Sequence, residues 1–381
     1  MILPDFTEQL RQLVATPSVS ATDPRLDMGN RAVVELLAGW LEDMGFAVEL
    51  QPLPYHPDKL NLIATMGSGP GGLVLAGHTD TVPYDDGRWH TDPFRLEERD
   101  NRFYGLGTTD MKGFFPLALA AAASVKPEQL KQPLIILATA DEESAMGGAR
   151  ALVAAGMPRA RYAVIGEPTG MRPVHMHKGC MMESIRVTGH SGHSSNPALG
   201  ANALDAMHSV IGELMAIRKG WESRYQHPGF LVPVPTLNLG CIHGGDNPNR
   251  ICAGTELQFD IRPVPGMELE AVREEIRSRV LALPQAERIQ VEYKPLFDGV
   301  PPFAEGEQSE LVQATEKLTG HAAHSVAFAT EAPYLQQLGM QTVVLGPGDI
   351  DQAHQPDEFL PQDRIAPMIE VLQGLVRRFC L

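Results

Sequence analysis

A chain of 381 residues, 43% hydrophobic and 20% charged, is longer than one hydrophobic core sustains, so two domains are expected in an ordinary folded protein. Its formal net charge of −16 leaves no concentrated basic surface of the kind nucleic acid requires. No stretch reaches the roughly 18 uninterrupted apolar residues of a bilayer-crossing helix, so neither nucleic acid nor a membrane is an expected partner.

The N-terminus places Phe6, Leu10, Leu13 and Val14 at helical spacing and lacks the basic start and apolar block of a secretory signal. Helices are predicted over 5–14, 30–44, 113–125 and 147–155. Strands are predicted over 61–66, 73–76, 134–139, 162–165 and 341–345. Short apolar runs alternating with helical patterns mark an α/β domain, with a mostly parallel central sheet flanked by helices. The texture changes after Lys178: strand 182–188, helix 202–218, strands 236–242 and 256–261, helix 269–283 and strand 289–293. That β-α-β-β-α-β order predicts a ferredoxin-like α+β domain. The strand at 341–345 and a helix at 366–379 return to the first style. The expected organisation is therefore a discontinuous first domain, 1–179 and 296–381, with residues 180–295 inserted. Cys180, Cys241, Cys252 and Cys380 are too scattered for a disulfide framework or a thiolate metal site, and a reducing cytoplasm is the expected location.

Four apolar runs each lead into a metal-ligand type of residue. They reach Gly77-His78-Thr79-Asp80, Asp141-Glu142-Glu143, Gly166-Glu167-Pro168 and, through a Gly-Pro-Gly loop, His354. In open α/β sheets ligands bind beyond the carboxyl ends of the strands, so these groups are expected to share one crevice. Imidazole and carboxylate suit Zn2+, or Co2+ in its place. Asp80 lies two positions from His78, on the same side of an extended backbone, and can hold its imidazole. Asp110 precedes an apolar helix; it is either that helix's N-cap or a carboxylate bridging two ions. Adjacent Glu142 and Glu143 are either a solvated helix start or an acidic pair that needs a cation between its members. His175 and His177 carry no functional expectation.

His78-x-Asp80, Gly107-x-x-Asp110-Met-Lys-Gly113, Asp141-Glu142-Glu143, Gly166-Glu167-Pro168-Thr169, Ser191-Gly-His193-Ser194-Ser195 and Gln352-Ala-His354 resemble the aminoacylase/carboxypeptidase family of di-zinc hydrolases, in order and over nearly the whole chain. The resemblance implies two Zn2+ per subunit, possibly Co2+, with His78 and Glu167 on one ion, Glu143 and His354 on the other, and Asp110 between them. It implies Glu142 as general base toward the attacking water and Asp80 as a catalytic-site residue. It also implies a homodimer formed through the inserted domain, a lid that brings His193 to the reacting oxygen. Family members commonly carry Asn-x-Ile-Pro where this chain has Asn249-Arg250-Ile251-Cys252, a departure that concerns the loop and not the metals. Asn249, Arg250 and Arg262 are candidates for binding substrate, the two arginines through a carboxylate, with an ordinary salt bridge as the alternative for either one. Longer stretches at 80–89, 238–246, 330–333 and 352–358 point, within the family, to release of an amino acid from its N-acyl form. Other deacylases or exopeptidases on the same scaffold, and a metal-free binding protein, are the alternatives.

Overall fold

The computed structural model describes residues 4–84, 87–284 and 287–381. Asp85 and Asp86, within the 80–89 stretch, and the first three residues lie outside the described residues. The chain divides into two compact units: Met1–His175 with Glu305–His324 and Thr330–Leu381, and Met176–Ala304 with Ser325–Ala329.

The core of the first unit is a sheet with strand order Ala47–Leu53, His56–Met66, Leu134–Thr139, Leu73–His78, Tyr162–Ile165 and Gln341–Val344. The last four run parallel, and the first two form an antiparallel hairpin along one edge. Each residue of Leu134–Thr139 and of Leu73–His78 is buried, which is why these strands read as unbroken apolar runs: helices cover both faces of a parallel sheet. The Phe114–Ala122 helix, buried along nearly its full length, packs against the C-terminal Ile365–Cys380 helix. Asp5 caps the first helix, Phe6–Val14, by accepting from the Glu8 N–H at 2.9 Å.

The edge strand Ala47–Leu53 is absent from the sequence prediction for a physical reason. All but Leu53 of its residues are exposed or half-buried, so it carries no hydrophobic alternation, and its hairpin extends the next strand back to His56. Helices at Glu310–Thr319 and Ala332–Gln337 were likewise unpredicted.

The second unit holds a four-stranded antiparallel sheet ordered Thr236–Gly244, Gly254–Arg262, Met181–Thr188 and Gln290–Pro295. Its helices are Ala203–Arg224 and Leu269–Leu281. Chain order and sheet order together are those of the ferredoxin-like arrangement. Met207, Val210, Leu214, Ile217 and Trp221 line the buried stripe of the longer helix against Ile185, Val187, Leu257 and Phe259, at the three-to-four spacing of an amphipathic helix. The helix runs six residues past its predicted end because that stripe continues to Trp221.

Gly166 follows the Tyr162–Ile165 strand where the Phe114 ring lies against the backbone; a Cβ there would sit 2.0 Å from Phe114 Cγ. Gly166→Ala is expected to destabilise the protein by about 1–3 kcal/mol through overpacking, read as a lower urea midpoint at unchanged m-value. An unchanged midpoint would show that the ring moves aside freely.

Candidate metal centre

Three neighbouring parallel strands place their carboxyl ends together. His78 ends its strand in register with Thr139, and the Gly166 N–H donates to Ala76 O at 2.9 Å, so Glu167 leaves the sheet beside His78. After Thr139 the chain turns through Asp141 in the left-handed region (φ +63°) into a single helical turn, Glu142–Ala145. That reversal delivers two consecutive carboxylates to the strand edge. His354 arrives from beyond the Gln341–Val344 strand, itself left-handed at φ +59°.

The geometry centres on Asp110. Its Oδ1 lies 3.0 Å from His78 Nε2, and its Oδ2 lies 3.3 Å from His354 Nε2. Glu143 Oε2 is 3.1 Å from His354 Nε2, and Glu167 Oε1 is 3.8 Å from His78 Nε2. Ligand atoms of His78, Asp110 and Glu143 lie within 4.8 Å of one another, as do those of His78, Glu142 and Glu167. Asp110 is not a helix cap: Gly113 precedes the Phe114–Ala122 helix. The Asp80 carboxylate lies within ion-pair distance of His78, as its sequence spacing suggests, but not at hydrogen-bond distance. The backbone carbonyl of Asp80 meets His78 Nδ1 at 2.9 Å, whereas the nearest carboxylate oxygen is 3.7 Å away. The carboxylate accepts the Glu142 and Glu143 N–H groups at 3.2 and 3.1 Å instead, which suits an anion at a helix start.

The electrostatics call for cations. Burial pushes the Glu142 carboxyl well above its ordinary value, and the charges of Glu167 and Glu143 add to it. Burial, then Asp110, raises Glu167 strongly and Glu143 to a lesser degree. Burial opposes protonation of His78, yet the Asp110 hydrogen bond and the Glu167 and Glu142 charges outweigh it and raise its pKa well above 6.5. His354 is raised to about 10 by its hydrogen bonds to Asp110 and Glu143. Burial also raises Asp110, but its hydrogen bonds to His354 and His78 prevail and hold it well below the usual range. The raised carboxyls and imidazoles mark an excess of buried negative charge, which divalent cations would offset without protonating a ligand. The donor set fits: imidazole nitrogens and carboxylate oxygens at mutual distances a common ion can span. Glu143 Oε1 is buried without a hydrogen-bond partner, an acceptor left over for an ion. The side chain of His354 is 55% exposed, so the cluster opens to solvent on that side.

Three buried charged groups around the cluster escaped the sequence reading. Lys59 bridges Asp27 at 2.8 Å and Asp141 at 2.6 Å, tying the hairpin to the turn that presents Glu142 and Glu143. Glu358 accepts three backbone N–H groups from the Asp110 loop, at 2.7 to 3.1 Å; burial and then the Asp110 charge raise it to about 8. Glu331 accepts from Thr139 Oγ1 at 2.8 Å, and burial raises it to about 7. Glu331 and Glu358 lie within stretches that drew attention as sequence, but nothing in their spacing marks a carboxylate whose partners are backbone amides or a hydroxyl. A lysine inside an extended segment gives no signal of its buried partners either.

His193, Asn249, Arg250 and Arg262 all belong to the second unit. There a β-bridge joins His193 to Arg250, and His193 Nδ1 accepts from the Ser195 N–H at 3.2 Å. Arg250 pairs with Asp246, and Arg262 with Asp260 at 3.0 Å; both arginines make ordinary ion pairs here. The Asn249 N–H donates to Asn247 Oδ1 at 3.2 Å. Cys252, where the family proline would stand, donates its thiol to Gly254 O. His177 is buried with Nδ1 against Lys178 O at 2.8 Å, a structural contact.

Residues 74–378 match peptidase family M20/M25/M40. The chain belongs to that family. It is 49% identical over 380 residues to the acetylornithine deacetylase of Edwardsiella ictaluri, covering 99% of this chain and 98% of the relative. The fold is shared with the M20 family metallo-carboxypeptidase Sso-CP2 of Sulfolobus solfataricus, at a TM-score of 0.77 and 18% identity over 98% of this chain and 99% of that one. It is shared too with the YXEP protein of Bacillus subtilis, a dinuclear metal binding peptidase from the M20 family, at a TM-score of 0.66 and 15% identity over 97% of each chain. Membership of M20 makes the chain a metal-dependent amide hydrolase, and the His-carboxylate cluster is its candidate dinuclear site. Among the described residues no helix is long and apolar enough to cross a membrane.

Lys59→Met removes the cation between buried Asp141 and half-buried Asp27 and is expected to cost about 3 kcal/mol of stability, measured by urea unfolding. Equal stability of variant and parent would mean that Asp27 and Asp141 find solvent or protons at no cost.

Proposed function

We propose that the chain hydrolyses the N-acetyl amide of N2-acetyl-L-ornithine to L-ornithine and acetate, a step of arginine biosynthesis in the cytoplasm. The observation that carries the metal part of this reading is the disposition of Asp110, with one oxygen toward each imidazole, as a carboxylate shared by two ions must be. The substrate rests on near-full-length identity to a relative of that name and on the stretches around Asp80, Asn238, Thr330 and Gln352.

In this reading His78 and Glu167 would hold one ion, Glu143 and His354 the other, and Asp110 would be shared between them. The ions are Zn2+, with Co2+ as a substitute, because imidazole with carboxylate suits either. Bound cations of this kind lower the pKa of a coordinated water to about 7 and polarise the acyl oxygen. Glu142, beside His78 and Glu167, takes a proton from the attacking water and delivers it to the leaving nitrogen. Asp80 holds the Glu142 and Glu143 amides, so the base and its neighbouring ligand keep a fixed spacing. The second unit serves as lid and homodimer contact. His193 of the partner subunit donates to the developing oxyanion, Arg250 and Arg262 are the residues offered to the substrate's carboxylate, and Asn249 is a further substrate-binding residue.

Glu142→Ala is expected to keep two bound ions and lose about 10²–10⁴ in kcat, since general-base catalysis is worth that much. Full turnover in this variant would remove Glu142 from the role. His193→Ala is expected to lower kcat by about 10²–10³, the usual loss for an oxyanion donor; a change in KM alone would leave that donor elsewhere. The substrate is decided by a panel of N-acetylornithine, N-acetylcitrulline and succinyl-diaminopimelate, each offered to chelator-stripped protein reloaded with Zn2+ or Co2+. The highest kcat/KM is expected on N-acetylornithine. Preference for another compound moves the chain to a different deacylase on this scaffold, and protein that neither binds metal nor turns over would be a binding module.

A further inference from the structure

Within the two-metal reading just given, we infer that Glu358 is a positioning residue that ties the bridging carboxylate to the segment bearing His354. The loop from Gly105 to Asp110 is buried, and Gly107, in the left-handed region at φ +82°, bends it away from any strand ladder. Its amides therefore need acceptors from elsewhere. Glu358, 1% exposed, supplies three of them: Oε1 accepts the Thr109 and Asp110 N–H groups at 2.7 and 2.9 Å, and Oε2 accepts the Gly107 N–H at 3.1 Å. The backbone of the same segment continues the tie. Glu358 O accepts the Gly105 N–H at 3.0 Å, and Phe359 O accepts Thr109 Oγ1 at 2.5 Å.

Glu358 stands four residues after His354. One side chain thus grips the amide of the residue that would bridge the ions while sharing a short segment with a ligand of one of them. Anchoring the Asp110 amide fixes the origin of its side chain, so that Oδ1 and Oδ2 stay divided between His78 and His354. Without the anchor Asp110 is free to turn both oxygens toward one ion. The role is to couple the two ion sites, not to touch the reacting atoms.

Glu358→Gln tests this. The amide keeps the shape, offers one acceptor oxygen and sets an NH2 against backbone donors. Titration of chelator-stripped protein with Co2+, followed by calorimetry and visible absorption, is expected to show two ions at saturation in both proteins. In the variant the weaker step is expected to lose about 10–100-fold in affinity, with kcat falling and KM held. Asp357→Asn is the control, because Asp357 lies in the same segment but, among the described residues, accepts from His90 and Thr91 and not from the Asp110 loop; it is expected to leave the weaker step in place. Two equally tight steps in Glu358→Gln, or the same loss in Asp357→Asn, overturn the inference. Parent protein that binds no Co2+ sinks the two-metal reading instead. Hydrogen exchange on the unmodified protein needs no folded variant: Co2+ is expected to slow exchange at 107–110 and 354–358 together, and protection of one segment alone overturns the coupling.

Discussion

The structure is organised around an electrostatic problem: Asp80, Asp110, Glu142, Glu143, Glu167, Glu331 and Glu358 converge at the carboxyl edge of one sheet, all of them buried or half-buried. Desolvation and mutual repulsion raise most of these carboxyls, and the surrounding acids raise His78 and His354. A fold keeps such a concentration of acid only where something compensates it. Divalent cations meet that need and supply the chemistry of the family at the same time. The site's demand for charge and its catalytic competence therefore have one cause.

The remaining acids divide the labour around the candidate ligands. The Asp80 carboxylate binds two helix-start amides and Glu358 binds three loop amides, while Asp141 is held by Lys59 and in turn accepts from Ser144 Oγ at 2.7 Å. Asp80 and Glu358 anchor backbone next to a candidate ligand, whereas Asp141 bonds side chains beside one. Lys112 plays the corresponding cationic part, its Nζ donating to Leu13 O and Thr16 O while burial lowers its pKa to about 7. Loops would otherwise be the least precise place to mount ligands; here buried ionisable groups bonded to backbone give those loops the fixity of sheet.

What the sequence disclosed follows from which interactions are local. His78, Glu143, Glu167 and His354 were legible because each follows an apolar run whose burial makes the strand unmistakable, and parallel strands share one functional edge. The β-α-β-β-α-β order was legible because period two and period 3.6 are properties of short windows. Ala47–Leu53 was not, since an edge strand buries too little to leave a pattern. Lys59 and Glu358 were not, since their partners lie up to 82 residues away for Lys59–Asp141 and 251 for Glu358–Gly107. Asp80 makes closer contacts than its spacing reveals. Its i, i+2 relation to His78 is real, but the carbonyl makes that bond and the carboxylate faces the helix start.

That last distinction separates ligands from their supports across the whole site. A residue at a strand end needs only the strand to reach the crevice, so residue type and spacing reveal it. A supporting residue needs two chain segments already folded together, and its side chain is chosen by donors that no spacing rule records. Asp110 joins the two classes: it stands in a recognisable motif and divides its oxygens between His78 and His354, yet its backbone amide is held from beyond residue 354. In the two-metal reading the capacity to hold both ions would therefore be a tertiary property, set where the Asp110 loop and the His354 segment meet.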